Sequence, residues 1–351
     1  MRILIAEDDA ALAGFVRQGL QGEHYAVDVV EDGEQARAMG TEFDYDLVIL
    51  DLNLPKLDGV SVLRHLRLKR PSLPVLVLTQ RSRVEDRVQC LDTGADDYVP
   101  KQLSANSLDI HHIRGDLIAK IKAAAESWRS RNRLALPRKP PRAAVLPTRE
   151  VSHSAPAIIA LGVSTGGPKA LQEMLPTLPA DLPVPILIVQ HMPAGFTAPF
   201  AKRLNSLCAV SVCEASHGEV VRPGVVYLAP AGFHMTVNCP GNSRISISLS
   251  GEAQNQVHVP SVDVMMQSVA SAFRSQAMGI IMTGMGSDGA QGMKAIHAAG
   301  GFTVGQDEPS SVVYGMPRVC AEMGILDRVV PLSQIPYEIL QATHYRKANA
   351  I

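Results

Sequence analysis

The sequence predicts two successive α/β units, each built on a parallel sheet wound with helices on both faces. Three observations point to this. At 351 residues the chain is longer than one hydrophobic core ordinarily fills. Over residues 1–126, five short β-branched runs alternate with amphipathic stretches, the pattern of a doubly wound sheet. A basic, proline-rich stretch at 127–154 then intervenes, and the alternation restarts over 155–343, leaving a short tail at 344–351.

The first unit reads as strands at RILIA (2–6), YAVDVV (25–30), DLVIL (46–50), PVLVL (74–78) and DDYVPK (96–101). AALAGFVRQGLQ and GVSVLRHLRLK are helices between them. In such sheets ligands bind at the carboxyl ends of the strands. Glu7 and Asp8 follow the first strand, Asp51 the third, Thr79 the fourth, and Lys101 closes the fifth. Three carboxylates on one rim repel one another unless a cation sits among them, and hard oxygen ligands suit Mg²⁺. The hydroxyl and the lysine then offer a donor and a charge to a phosphoryl group. Any one of these residues alone reads as a polar loop cap; five at strand ends read as a site.

Residues 127–156 hold five prolines and little periodicity, the composition of an interdomain linker. Net charge is −6 over residues 1–126, +6 over 127–155 and −1 over 156–351. With no recognition fold in the basic stretch, nucleic acid is not expected as a partner. No apolar run reaches the ~18 residues of a membrane span, so no membrane insertion is expected. The start, MRILIAEDDAAL, turns acidic too early for a signal peptide. Five scattered cysteines without a C-x-x-C suggest reduced thiols and a cytoplasmic protein.

In the second unit, APAIIALG (155–162), PVPILIVQH (183–191) and AMGIIMTG (277–284) read as buried strands. GVVYLAP, HMTV and RISISL are shorter strands, placed in a β-hairpin-like insertion around 220–250. GPKALQEMLPTL, GFTAPFAKRLNSL and AQGMKAIHAAGG are helices, the last stopped by Gly300 and Gly301.

Ser164 lies in Gly162-Val163-Ser164-Thr165-Gly166, a G-x-S-x-G between strand and helix. Three readings compete: nucleophile, phosphate-cradling hydroxyl, or helix cap. A phosphate loop lacks its G-x-x-x-x-G-K-[ST]; a cap stays open on the motif alone. A nucleophilic serine needs a base and an orienting carboxylate. His191 ends the second strand of this unit, and Asp288 follows GIIMTG, so serine, histidine and aspartate share one rim. His217, His234, His258 and His297 fall in the insertion or on helices, and His111 and His112 in the first unit's last helix, so none is favoured as the base. The order Ser…His…Asp differs from the Ser…Asp…His of α/β-hydrolases.

The first unit resembles the response-regulator receiver domain, a flavodoxin-like parallel sheet. The resemblance implies that Asp51, in VILDLNLPKLDG, is the phosphoacceptor. Glu7, Asp8, Asp51 and the backbone carbonyl of Asn53 would hold Mg²⁺, Thr79 and Lys101 the phosphoryl oxygens, and Tyr98 would move with the switch. Receivers usually follow the lysine with proline; here Gln102 follows Lys101, and a Lys–Gln bond is expected to be trans.

GVSTGGP, QHMPAGFT, PSVDVMM, MTGMGSDGAQGM and QDEPSSVVYGMP resemble the catalytic domain of chemotaxis protein-glutamate methylesterases (CheB-like). That resemblance implies hydrolysis of glutamyl methyl esters on methyl-accepting chemoreceptors, with possible deamidation of receptor glutamines and no cofactor for the esterase. Ser164, His191 and Asp288 take the catalytic positions, Thr165 supports the histidine, and the N–H of Met285 serves the oxyanion. A histidine kinase of the chemotaxis system would be the phosphodonor, and phosphorylated Asp51 would relieve inhibition of the esterase. Family members commonly carry a basic residue just before P-S-V-D, where this chain has His258-Val259. Competing readings are a DNA-binding regulator, a phospho-switched interaction module with an inactive hydrolase domain, and the same esterase on a non-chemotaxis receptor array.

Overall fold

A computed structural model describes residues 2–71, 73–79, 90–101, 121, 154–192, 194–238, 244–251 and 258–345. The chain separates into two compact units, Met1–Asn132 and Arg133–Ile351, with the division inside the stretch read as a linker. Gln102, His111 and His112, and most of that linker, lie outside the described residues.

In the first unit, strands β1 (Arg2–Ala6), β2 (Ala26–Val30), β3 (Leu47–Asp51), β4 (Val75–Thr79) and β5 (Asp97–Pro100) form one sheet in the order β2-β1-β3-β4-β5. Every pairing is parallel. That is the flavodoxin-like order, with its ligand crevice between β1 and β3. Leu47–Asp51 is buried at every position because β3 is central and covered on both faces. Helices α1 (Ala10–Gln21), α2 (Gly33–Glu42) and α3 (Gly59–Lys69) each begin at an aspartate whose carboxylate accepts first-turn N–H groups: Asp9, Asp32 and Asp58. Ile3, Ile5, Val16, Leu20, Ile49, Leu76 and Ile121 fill one core.

Among its described residues, the second unit holds a sheet of seven parallel strands. They are β6 (Ile158–Val163), β7 (Ile186–Gln190), β8 (Ser211–Glu214), β9 (Val225–Leu228), β12 (Ala277–Ile281), β13 (Phe302–Gln306) and β14 (Arg328–Val330), in the order β14-β13-β12-β6-β7-β9-β8. The helices are α4 (Gly167–Met174), α5 (Thr197–Leu207), α6 (Val262–Phe273), α7 (Ala290–Ala298), α8 (Met316–Glu322) and α9 (Ile335–Ala342). Two sequence expectations change. GVVYLAP is not part of the insertion: Val226, Tyr227 and Leu228 are fully buried because β9 fills the sheet between β7 and β8. The insertion is the antiparallel hairpin of β10 (His234–Asn238) and β11 (Ser246–Ser250). Strands β8, β13 and β14 were not expected; they span three to five residues, and β13 contains Gly305, a poor strand former.

α7 ends as predicted: Gly300 takes φ +82, and the N–H groups of Gly300 and Gly301 return to the carbonyls of His297 and Ile296. Among the described residues no helix is long and apolar enough to cross a membrane.

Candidate active site

Winding starts at β6 and proceeds one way through β7 and β9, then the other way through β12, β13 and β14. The carboxyl ends of β6, β7 and β12 therefore flank the point where the chain reverses, where open α/β sheets bind ligands. Ser164 follows β6, His191 follows β7, and Asp288 sits in the loop after β12.

The serine turn is built by backbone. Ser164 N–H donates to the Thr283 carbonyl at 3.0 Å, and Gly167 N–H returns to the Ser164 carbonyl at 2.8 Å. Gly166 adopts φ +78, a left-handed conformation that costs a side-chain-bearing residue ~1–2 kcal/mol. Gly162 has a different use: a Cβ there would lie 2.2 Å from Val262 Cγ1, so its absence lets α6 approach β6.

That approach places the N-terminus of α6 on Asp288. Asp288 Oδ1 accepts from Ser261 Oγ at 2.8 Å and Asp263 N–H at 3.0 Å. Oδ2 accepts from Val262 N–H at 2.8 Å and pairs with His191 Nε2 at 2.8 Å. Burial alone raises this carboxyl's pKa, but the bonds from His191 and the backbone prevail and hold it at about 2. Asp288 is therefore an anion and an acceptor only, which assigns the proton between it and His191 to Nε2. Nδ1 is left with a lone pair, and it lies 3.2 Å from Ser164 Oγ. The ring nitrogens are used in the reverse sense of the chymotrypsin arrangement, with the same logic.

The expected trio is brought together. Thr165 is buried, but its carbonyl accepts from Thr283 Oγ1 at 2.8 Å, and it makes no hydrogen bond to His191. Among the described residues the N–H groups of Thr165 and Met285 have no protein acceptor. Met285 follows Gly284, whose Cβ would lie 2.8 Å from Ser164 Cβ, so that loop abuts the serine.

Sequence reasoning missed four neighbours. Ser261 caps α6 and bonds Asp288; its signal was the serine of PSVDVMM, directly before an apolar helix. His258, not favoured as the base, stacks on His191 with ring centroids 4.3 Å apart and planes at 22°. Gln190 is buried and donates from Nε2 to the carbonyls of Ser164 and His191, both at 3.0 Å. His234 is buried and accepts from Ser261 N–H at Nδ1, and burial lowers its pKa toward the neutral ring.

In the first unit, Glu7 and Asp51 are buried, and Lys101 Nζ bridges them at 2.6 and 2.9 Å. Burial raises the Glu7 pKa, opposed by the Lys101 ammonium. Carboxylate oxygens of Glu7, Asp8 and Asp51 lie within 4.8 Å of one another. Asp51 Oδ1 is buried and accepts no hydrogen bond. Asn53 is exposed and Tyr98 buried; Thr79 ends β4, and its side chain is outside the described residues.

Two family models match the chain: the response regulator receiver domain over residues 3–112 and CheB methylesterase over residues 159–339. A Geobacter sulfurreducens protein named protein-glutamate methylesterase/protein-glutamine glutaminase 1 is 39% identical, over 97% of this chain and 96% of its own. A Symbiobacterium thermophilum protein of the same name, without the number, is 37% identical over 97% of each chain. The crystal structure of the Thermotoga maritima CheB methylesterase catalytic domain matches with 37% identity and a TM-score of 0.52, covering 54% of this chain and 99% of that one.

Proposed function

This chain belongs to the CheB methylesterase family, with a receiver domain ahead of the esterase unit, and from that premise we propose that it hydrolyses glutamate methyl esters on chemoreceptors. The observation that carries the reading is the unbroken line Ser164–His191–Asp288, with His191 Nδ1 3.2 Å from the serine Oγ and Nε2 2.8 Å from Asp288. His191 Nδ1 takes the hydroxyl proton as Ser164 Oγ attacks the ester carbonyl. The N–H groups of Thr165 and Met285 hold the oxyanion, aided by the N-terminal end of α4. His191 then returns the proton to the departing methoxide, and methanol leaves. Water, deprotonated by His191, cleaves the glutamyl ester of Ser164 and restores the enzyme. With a glutamine side chain the same steps release ammonia. Asp288 keeps the ring in the required tautomer and stabilises its cation.

The receiver supplies control. Asp51 is the phosphoacceptor, served by a histidine kinase. Hard oxygens from buried Glu7 and Asp51 and from exposed Asp8, with Asp51 Oδ1 accepting no hydrogen bond, fit Mg²⁺. When bound, the ion neutralises charge between the carboxylates and the phosphodonor. Lys101 holds Asp51 and Glu7 in the resting site and is placed to pair with a phosphoryl oxygen. Aspartyl phosphate adds charge to this rim and biases the receiver toward its active arrangement.

The test is methanol release from methylated receptor membranes, with and without acetyl phosphate and Mg²⁺. Ser164→Ala is expected to lose ~10⁶ in turnover, and Asp51→Asn to lose only the response to phosphodonor. Release that survives Ser164→Ala overturns the esterase assignment; stimulation that survives Asp51→Asn overturns the receiver assignment.

A further inference from the structure

We propose that Gln190 is a positioning residue for this reaction, its buried amide tying the Ser164 carbonyl to the His191 carbonyl so that nucleophile and base stay in register. The proposal rests on the esterase reading above. The parallel pairing of β6 with β7 ends at Val163 and Gln190. Ser164 and His191 are thus the first residues beyond the ladder, and one further backbone bond, His191 N–H to the Val163 carbonyl at 3.2 Å, spans the gap. Past that point the chains part, one into the turn before α4 and the other into the loop before α5.

The Gln190 amide fills this fork. Nε2 carries two protons, and both have acceptors: the carbonyl of Ser164 and the carbonyl of His191, each at 3.0 Å. A flipped amide would aim an oxygen at two carbonyl oxygens, so the partners fix its orientation. The other end, Oε1, is buried with no hydrogen-bond partner. It occupies space that Gly167 leaves open, since a Cβ on Gly167 would lie 2.0 Å from it. Ile186–Val189, the rest of the strand, is apolar and buried. A residue chosen for packing alone at the end of such a strand would be another aliphatic, which leaves no acceptor unpaired. The amide instead links the two backbones whose spacing sets the 3.2 Å contact between Ser164 Oγ and His191 Nδ1.

The full-length wild type, Gln190→Met and Gln190→Glu distinguish the possibilities. Methionine keeps the volume and removes the donor. A displacement on the order of 1 Å costs ~10²-fold, so Gln190→Met is expected to lower kcat by roughly 10-fold to 100-fold with KM within about twofold. Inactivation of Ser164 by a small fluorophosphonate, which needs no receptor contact, should slow by the same factor. Glutamate can donate to one of the carbonyls only when protonated, so Gln190→Glu should regain activity relative to wild type as pH is lowered. The proposal is overturned by wild-type kcat in Gln190→Met, by a rise in KM alone, or by failure of both variants to fold, which would make the residue purely structural. An inactive wild type would instead remove the esterase reading on which the proposal stands.

Discussion

Asp288→Asn removes one charge at nearly constant volume, and the structure separates two ways in which that could matter. Asp288 accepts four hydrogen bonds, two at each oxygen: His191 Nε2 and Val262 N–H at one, Ser261 Oγ and Asp263 N–H at the other. An asparagine can accept at one position only, so its NH₂ must face a backbone N–H whichever way it turns. If Asp288 contributed charge alone, the loss would follow the preference for its anion. A carboxyl held at about 2 rather than 3.8 reflects roughly 2 to 3 kcal/mol, or roughly 60-fold in rate. If Asp288 also sets the tautomer, the asparagine NH₂ can donate to Nε2 and drive the proton onto Nδ1, where it blocks the base. The corresponding change in a serine protease costs about 10⁴ in kcat, or about 5.5 kcal/mol. We expect a fall in kcat for methanol release of roughly 10³ to 10⁴, with ¹⁵N spectra moving the His191 ring proton from Nε2 to Nδ1. A fall of no more than about 60-fold with the tautomer unchanged would refute the tautomer argument.

Further outcomes follow from the same contacts. The stabilisation from Asp288 has the sign of a depressed carboxylate: it is complete above pH 3.8 and disappears as pH falls through about 2. The stability difference between wild type and Asp288→Asn, measured by urea unfolding of the full chain, should be largest near neutrality and shrink below about pH 4; a pH-independent difference would contradict the linkage. Lys101→Ala strips the counter-charge from buried Glu7 and Asp51 and should cost ~3–5 kcal/mol. Added Mg²⁺ should recover much of that loss in the same unfolding assay, and no Mg²⁺ effect would count against the ion site. Gly162→Ala drives a methyl against Val262 Cγ1 and should destabilise by ~1–3 kcal/mol, with relief from a second change, Val262→Ala. Absence of that relief would place the strain elsewhere.

What the sequence determined by itself was location. In a parallel sheet every strand ends on the same rim, so a residue directly after a strand lies near residues directly after its neighbours. That geometry links Ser164 with His191 and Asp288, and Glu7 and Asp8 with Asp51, Thr79 and Lys101, from sequence position alone. The glycine stop of α7 was equally legible, because it acts within one turn of chain. Strand order was not. GVVYLAP looked like part of an insertion, since nothing local says that β9 is inserted between β7 and β8. The short strands β8, β13 and β14 carry too few residues to establish a period.

Only the tertiary structure decided how the site is held. His191 meets Asp288 across 97 positions of sequence, and Asp288 meets Ser261 across 27. Three of the four donors on that carboxylate are there because α6 packs close to β6 at Gly162. The choice of ring nitrogen, the stacking of His258 and the fork spanned by Gln190 likewise depend on side-chain directions between separate elements. Periodicity records which face of an element is apolar; it carries no information on which polar atoms meet once those faces pack.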